Sequence, residues 1–196
     1  PAVFVSGSAV GIYGVRDDAV TEDSPLGDDF LAGICKAWEA ETQPVSDAGV
    51  RTVMIRSGIV LAAHGGVLKR LLLPFKLGLG GKQGSGKQWM SWIALVDEVA
   101  AIMHALGSDT LHGPVNLTAP QPVTNAEFAR TLGTVLHRPT VLPTPAFPLK
   151  LVYGDELVET LLMGGQRVLP DRLQSDGYEF RHRTLEDALR AVLDRH

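Results

Sequence analysis

Two short apolar runs, Ala2-Val3-Phe4-Val5 and Arg51-Thr52-Val53-Met54-Ile55-Arg56, constrain the fold of this chain more than any other feature. Both are continuous rather than alternating, which is the pattern of strands covered on both faces in a parallel sheet. Between them lie a polar loop, from Val15 to Pro25, and a helix that Asp28 or Asp29 can cap. That helix is expected to hold Phe30, Leu31, Ile34, Ala37 and Trp38 on one apolar face. Strand, helix, strand is the unit of a parallel α/β fold, because parallel neighbours need a crossover connection.

The remainder of the chain extends this reading. Gly65-Gly66 opens a helix with Val67, Leu68, Leu71, Leu72 and Phe75 inward, and Pro74 bends or ends it. The glycine-rich stretch 78–86 suggests a turn-rich hairpin leading into Gln88–Ile93. A helix is expected from Val96 to Leu106, with Val99, Ala100, Met103 and Leu106 inward, then a short strand at Val115–Leu117. Thr124-Asn125-Ala126-Glu127 reads as a capping box for a helix ending at His137. Further helices are expected at about 146–153 and 155–163 and from Thr184 to Arg195. The organisation is read as two parts, 1–118 mostly sheet-forming and 119–196 a small helical lobe.

Composition narrows the function. Apolar residues make up 45% of the chain, enough to bury a core. A net charge of −4 offers no general attraction to nucleic acid or to an anionic membrane, and no apolar run is long enough to span a bilayer. The single cysteine, Cys35, excludes an intrachain disulfide and fits a reducing, cytoplasmic compartment. No secretory leader is visible. The chain opens at Pro1, in what reads as mid-strand, which suggests part of something longer. The six histidines do not stand at metal-ligand spacing, so no metal is expected.

The carboxyl ends of parallel strands are where open α/β sheets bind ligands. Ser6-Gly7-Ser8-Ala9 ends the first strand. A serine there can hydrogen-bond a substrate carbonyl or a cofactor amide; equally, small residues can simply ease the exit from a strand. Arg56-Ser57-Gly58-Ile59 is the matching position one strand over, and the Arg56 guanidinium fork suits phosphate. The bland alternative for Arg56 is an ion pair with an acid. Cys35 reads as a packed residue, and the tryptophans as core or pocket wall.

These segments resemble a known family. Val5-Ser6-Gly7-Ser8-Ala9-Val10-Gly11-Ile12-Tyr13-Gly14 is similar to the fifth strand and exit of extended short-chain dehydrogenases/reductases. With Trp38-Glu39, Arg56–Leu61, Leu73–Gly81 and Gly84–Trp89 it resembles the nucleoside-diphosphate-sugar epimerase-like branch. Asn116–Pro120, Thr124–Phe128 and Gly165–Pro170 are similar to that branch's characteristic C-terminal domain.

The resemblance implies the C-terminal part of a Rossmann-like, doubly wound parallel sheet plus a small helical lobe. It implies a cofactor, NADP with NAD possible, lying across Ser6, Gly7, Ser8, Arg56, Ser57, Gly58 and Ile59. It also implies a small-molecule substrate and leaves room for a homodimer. Trp89 and Trp92 would then wall the substrate pocket. The glycine turn that cradles the pyrophosphate in such proteins has no counterpart here. Relatives use a serine with Tyr-x-x-x-Lys, four residues apart on one helix face. Taking Glu39 as the anchor, Leu31 and Cys35 stand at those two positions. Ser8 fits the serine, and Tyr13 is the nearest phenol, so these two are the catalytic candidates. Met90 stands where nucleotide-sugar enzymes carry a diphosphate-clamping arginine, and Ala94 where they carry a histidine. Two functions follow: an NAD(P)-dependent reductase or epimerase, or a catalytically silent NADP-binding regulatory or interaction protein. A bare breakdown fragment is a third reading.

Overall fold

The computed structural model of the chain describes residues 1–140 and 165–194. Three parallel strands form the central sheet: β1 (Val3–Ala9), β3 (Arg51–Ser57) and β7 (Gly113–Leu117), in the order β1-β3-β7. The register sets Ser8 opposite Arg56, and Arg56 opposite Asn116. In parallel strands, residues opposite one another share a face, so these three polar side chains form one row across the sheet.

Helix α1 (Phe30–Ala40) covers that face, followed by α2 (Gln43–Asp47). Asp29 caps α1, its side chain accepting from the Ala32 N–H. The opposite face carries Val3, Val5, Val53, Ile55, Val115 and Leu117, packed on Ala101 and Ala105 of α4 (Leu95–Gly107) and on Leu173 of a short C-terminal helix. Both crossovers step in the same direction along the sheet, yet their helices lie on opposite faces, so the two have opposite hands.

The chain between β3 and β7 is a long excursion. A two-stranded parallel pair, β4 (Ile59–Leu61) with β6 (Trp92–Ala94), flanks α3 (Gly66–Lys76). As expected, Leu68 and Phe75 of α3 are buried, and Leu71 and Leu72 pack behind them. Pro74 sits in the last turn without breaking the helix. Residues 78–86 form no hairpin. Gly80 lies beneath the Phe75 ring, where a Cβ would come within 2.3 Å, so close packing constrains this segment. Beyond it, β5 (Trp89–Met90) pairs antiparallel with β8 (Val123–Thr124).

The Thr124–Glu127 capping box forms as expected and starts α5 (Asn125–Leu136). Two later helices, α6 (Asp171–Ser175) and α7 (Leu185–Leu193, capped by Thr184), lie within the described residues, and the expected helices near 146–153 and 155–163 lie outside them. Helices α3, α5 and α7 share one core with β4 and β6 around Phe128, Leu132 and Leu189. Several contacts tie the C-terminal segment to residues 1–118. β2 (Ala19–Val20) pairs with β9 (Arg167–Val168). Buried Asp97 of α4 accepts from the Arg181 and His182 N–H groups and from Tyr178 Oη.

Two inward faces differ from expectation. On α1, Ala32 and Cys35 are buried while Phe30 and Trp38 are 72% and 56% exposed. On α4, the sheet side is Asp97, Glu98, Ala101 and Ala105, and Val99, Ala100, Met103 and Leu106 face outwards. Small side chains let a helix sit close to a sheet, and that close approach decides which side turns in.

Candidate functional site at the carboxyl ends of strands β1 and β3

The row Ser8, Arg56 and Asn116 is roofed by Glu39 from α1 and by Tyr13 from the 3-10 turn Val10–Tyr13. Arg56 is 3% exposed. Its Nε donates to Glu39 Oε1 and its Nη2 to Glu39 Oε2, both at 2.8 Å, a fork-to-fork pair. Arg56 Nη1 donates to Tyr13 Oη at 2.8 Å and reaches the Glu22 carbonyl at 3.5 Å. Tyr13 Oη in turn donates to Asn116 Oδ1 at 2.7 Å, and Ser8 Oγ donates to Glu39 Oε1 at 2.7 Å. Glu22 closes the ring from below, its Oε1 accepting from the Asn116 N–H at 2.9 Å.

Four of the guanidinium's N–H donors are thus used within the protein, and its Cζ lies 5.1 Å from the Tyr13 ring centre. The geometry gives Arg56 the ion-pair role rather than an open fork for phosphate. Burial is also the main influence on the other groups. It pushes the Tyr13 phenol above its ordinary range, against the pull of Arg56. It pushes the Glu22 carboxyl up, partly offset by the Asn116 and Arg172 N–H groups, and it pushes the Cys35 thiol up.

Ser57 lies on the opposite face, its Oγ donating to Glu98 Oε1 at 2.5 Å. Among the described residues Glu98 Oε2 has no hydrogen-bond partner, and burial raises this carboxyl as well. Gly58 is packed within the protein: a Cβ there would lie 2.4 Å from the Ser91 carbonyl and 2.9 Å from Thr118 Cγ2. Its smallness is needed for that contact. Ile59 begins β4, with its N–H donating to the Ser91 carbonyl at 2.8 Å. Ser6 is half-buried, and Gly7 is exposed with nothing within 4 Å of an added Cβ. Gly7 lies on the edge strand β1.

The tryptophans take other places. Trp92 is fully buried in the core, with Nε1 donating to the Gln121 carbonyl, and Arg167 stacks over Trp89 at 4.7 Å. A cavity of about 510 Å³ opens at Thr110, His112, Arg172 and Asp176, and the backbone N–H of Arg172 also reaches Glu22 of the cluster. A second, of about 560 Å³, adjoins Tyr13 and is lined by Arg16, Asp18, Asp28 and Asp29. Among the described residues, no group of three or more His, Cys, Asp or Glu is placed to hold a metal, and no helix is long and apolar enough to cross a membrane.

Sequence reasoning brought Ser8, Tyr13 and Arg56 to one place but gave Glu39 no contact with them and left out Glu22 and Glu98. A signal for Glu39 was present. Leu31, Cys35 and Glu39 follow at spacings of four, so Glu39 falls on the sheet-facing side of α1, where an acid needs a partner.

A parallel sheet with helices on both faces, and a polar cluster at the strands' carboxyl ends, defines a Rossmann-like protein of the extended short-chain dehydrogenase/reductase class. A family model described as a domain of unknown function, DUF1731, matches residues 144–192. An epimerase family protein of Mycobacterium bovis is 44% identical over 189 residues, covering 96% of this chain and 62% of that protein. Epimerase family protein YfhF of Bacillus subtilis is 39% identical, covering 98% of the chain and 63% of that protein. The chain therefore spans about three-fifths of the length of these relatives. The crystal structure of human epimerase family protein SDR39U1 with NADPH superposes with a TM-score of 0.94 at 38% identity, covering 100% of this chain and 66% of that one. The chain belongs to this epimerase family, with its characteristic C-terminal domain.

Proposed function

We propose that the chain contributes the substrate-side part of an NADP-binding, reductase- or epimerase-like protein. NAD is the alternative cofactor, the substrate is a small molecule, and the compartment is the cytoplasm. The observation that carries this is the match of the whole chain, at a TM-score of 0.94, to the human relative described with NADPH. In the structure, Gly7 carries no side chain that would stand between Ser6 and Ser8 and a flat ring. Ser6, Gly7 and Ser8 would hold the nicotinamide end, while Ser57 faces the other side of the sheet and is taken by Glu98. Arg56 would act beneath them, fixing Glu39 and through it Ser8. When bound, the cofactor supplies hydride transfer. Titration of the intact protein with NADPH, followed by ligand fluorescence, should saturate. A flat titration overturns the reading.

A second reading is favoured by one specific observation. Leu31 and Cys35, which the family resemblance sets at the Tyr and Lys positions, offer no acid or base pair, and Cys35 is buried with its thiol pushed up. Tyr13 is 1% exposed and its hydroxyl is bonded to Arg56 and Asn116, so it has no free path to a substrate proton. A silent, NADP-sensing interaction protein would keep such a site. NADPH oxidation in a broad screen of carbonyl compounds and nucleotide sugars separates the two readings. Turnover lost on Ser8→Ala establishes the enzyme; binding without turnover establishes the sensor.

A further inference from the structure

The hydrogen bond between Ser8 and Glu39 fixes what Ser8 can offer a ligand. Both oxygens of Glu39 face the two forks of the Arg56 guanidinium, at 2.8 Å each. A carboxylate held this way has acceptor lone pairs only, so the proton in the 2.7 Å contact to Ser8 belongs to the serine. With that proton committed, the hydroxyl retains lone pairs and nothing to donate. The pair is enclosed, since the Arg56 and Glu39 side chains are 4% and 12% exposed, so water does not readily compete for either partner. Ser8 keeps 8% of its surface and follows the bare Gly7 in sequence.

The two ligand groups that the sequence left open for this serine, a carbonyl and an amide, are therefore not equivalent. A carbonyl oxygen needs the proton that Glu39 already holds. An N–H or O–H donor meets a free lone pair. We propose that Ser8 is an acceptor that reads a hydrogen-bond donor on the ligand, the carboxamide NH2 of the nicotinamide ring, and that Glu39 is the positioning residue setting this polarity. The inference rests on the cofactor reading above and adds a specificity to it.

The test compares NADPH with its 3-acetylpyridine analogue, in which a methyl ketone replaces the carboxamide and the N–H donor is lost while the carbonyl stays. The intact protein should bind NADPH about fivefold more tightly than the analogue, one neutral hydrogen bond in magnitude. Ser8→Ala should bind both alike, at the analogue's affinity, while Ser8→Thr, which keeps the hydroxyl, should restore the preference. Thermal unfolding checks that each variant folds, and Ser8→Gly replaces Ser8→Ala if the latter does not. Equal binding by the wild type overturns the proposal, as does a preference that survives removal of the hydroxyl; in both cases cofactor binding itself still stands. Failure of the wild type to bind either molecule overturns the cofactor reading instead, and this inference with it.

Discussion

At the scale of single residues, buried acids dominate the chemistry of this chain. Glu39 and Glu22 have partners for their oxygens, whereas Glu98, on the sheet-facing side of α4, has one oxygen unpaired among the described residues. An unsatisfied buried polar atom costs about 1–3 kcal/mol, and more if the group is charged. Burial raises the folded-state pKa of Glu98 above its unfolded value. For a carboxyl shifted in that direction, the folded state binds the proton more tightly, so its stability is complete below the ordinary glutamate range. It declines as pH rises through the raised folded value. Glu22 is shifted the same way and contributes the same sign. Glu98→Gln keeps the shape without the charge. It should raise the thermal midpoint at pH 8 by about 2–4 °C, the equivalent of about 1 kcal/mol in a chain of this size. The gain should shrink to nothing on acidification towards pH 4. A gain that is constant with pH would mean that Glu98 does not titrate in the folded protein. None of this was legible in the sequence, because Glu98 sits in a first helical turn where acids are ordinarily exposed and favourable. Ser8, Tyr13 and Arg56 were legible as a place, from the small-residue strand exit and its neighbour. That Arg56 turns inward to Glu39 depends on the β1–β3 register, which no local pattern reveals.

At the scale of elements, local signals were read correctly and packing directions were not. The α5 start is an example of the first. Thr124 Oγ1 accepts from the Glu127 N–H, and Glu127 Oε2 accepts from the Thr124 N–H at 2.7 Å. Both partners lie three residues apart, so the sequence carries the whole device. Those contacts hold the Glu127 carboxyl below its ordinary range. Thr124→Ala should cost about 1 kcal/mol, since it leaves the Glu127 N–H without its acceptor. A shift of about 2–4 °C in thermal midpoint measures this, and no shift would show that water replaces the cap. Helix α5 packs on α7 and α3, so the loss should spread to that shared core. Helices α1 and α4 show the second case. Each is apolar on two sides, so periodicity names two candidate faces. In both, small or acidic side chains, Ala32, Cys35 and Glu39 on α1 and Glu98, Ala101 and Ala105 on α4, meet the sheet, and the larger apolar residues face away. Choosing between two apolar faces takes knowledge of how closely the helix approaches, which is a property of the packed molecule.

At the scale of the whole molecule, those outward faces acquire a meaning. Strand β1 pairs with β3 on one side, and no described strand pairs with its other side. Phe30 and Trp38 of α1 lie on one face of the sheet, and Val99 and Met103 of α4 on the other, all more than half exposed. Apolar surface beside an unpaired strand edge is a template for association. The relatives are longer than this chain, which spans 62% of the Mycobacterium bovis protein, so they have further chain with which such a surface can be covered. A second copy of the chain would cover it as well. Prepared as these 196 residues, the chain should therefore sediment above monomer mass, and increasingly so with concentration. Val99→Lys with Met103→Glu places charge on the outer side of α4, away from the sheet-facing Ala101 and Ala105. This pair should reduce association without lowering the thermal midpoint, because neither side chain is buried in the monomer. A chain that stays monomeric at high concentration, or an associated state indifferent to these two charges, would show that the exposed flank of α4 is not what drives assembly.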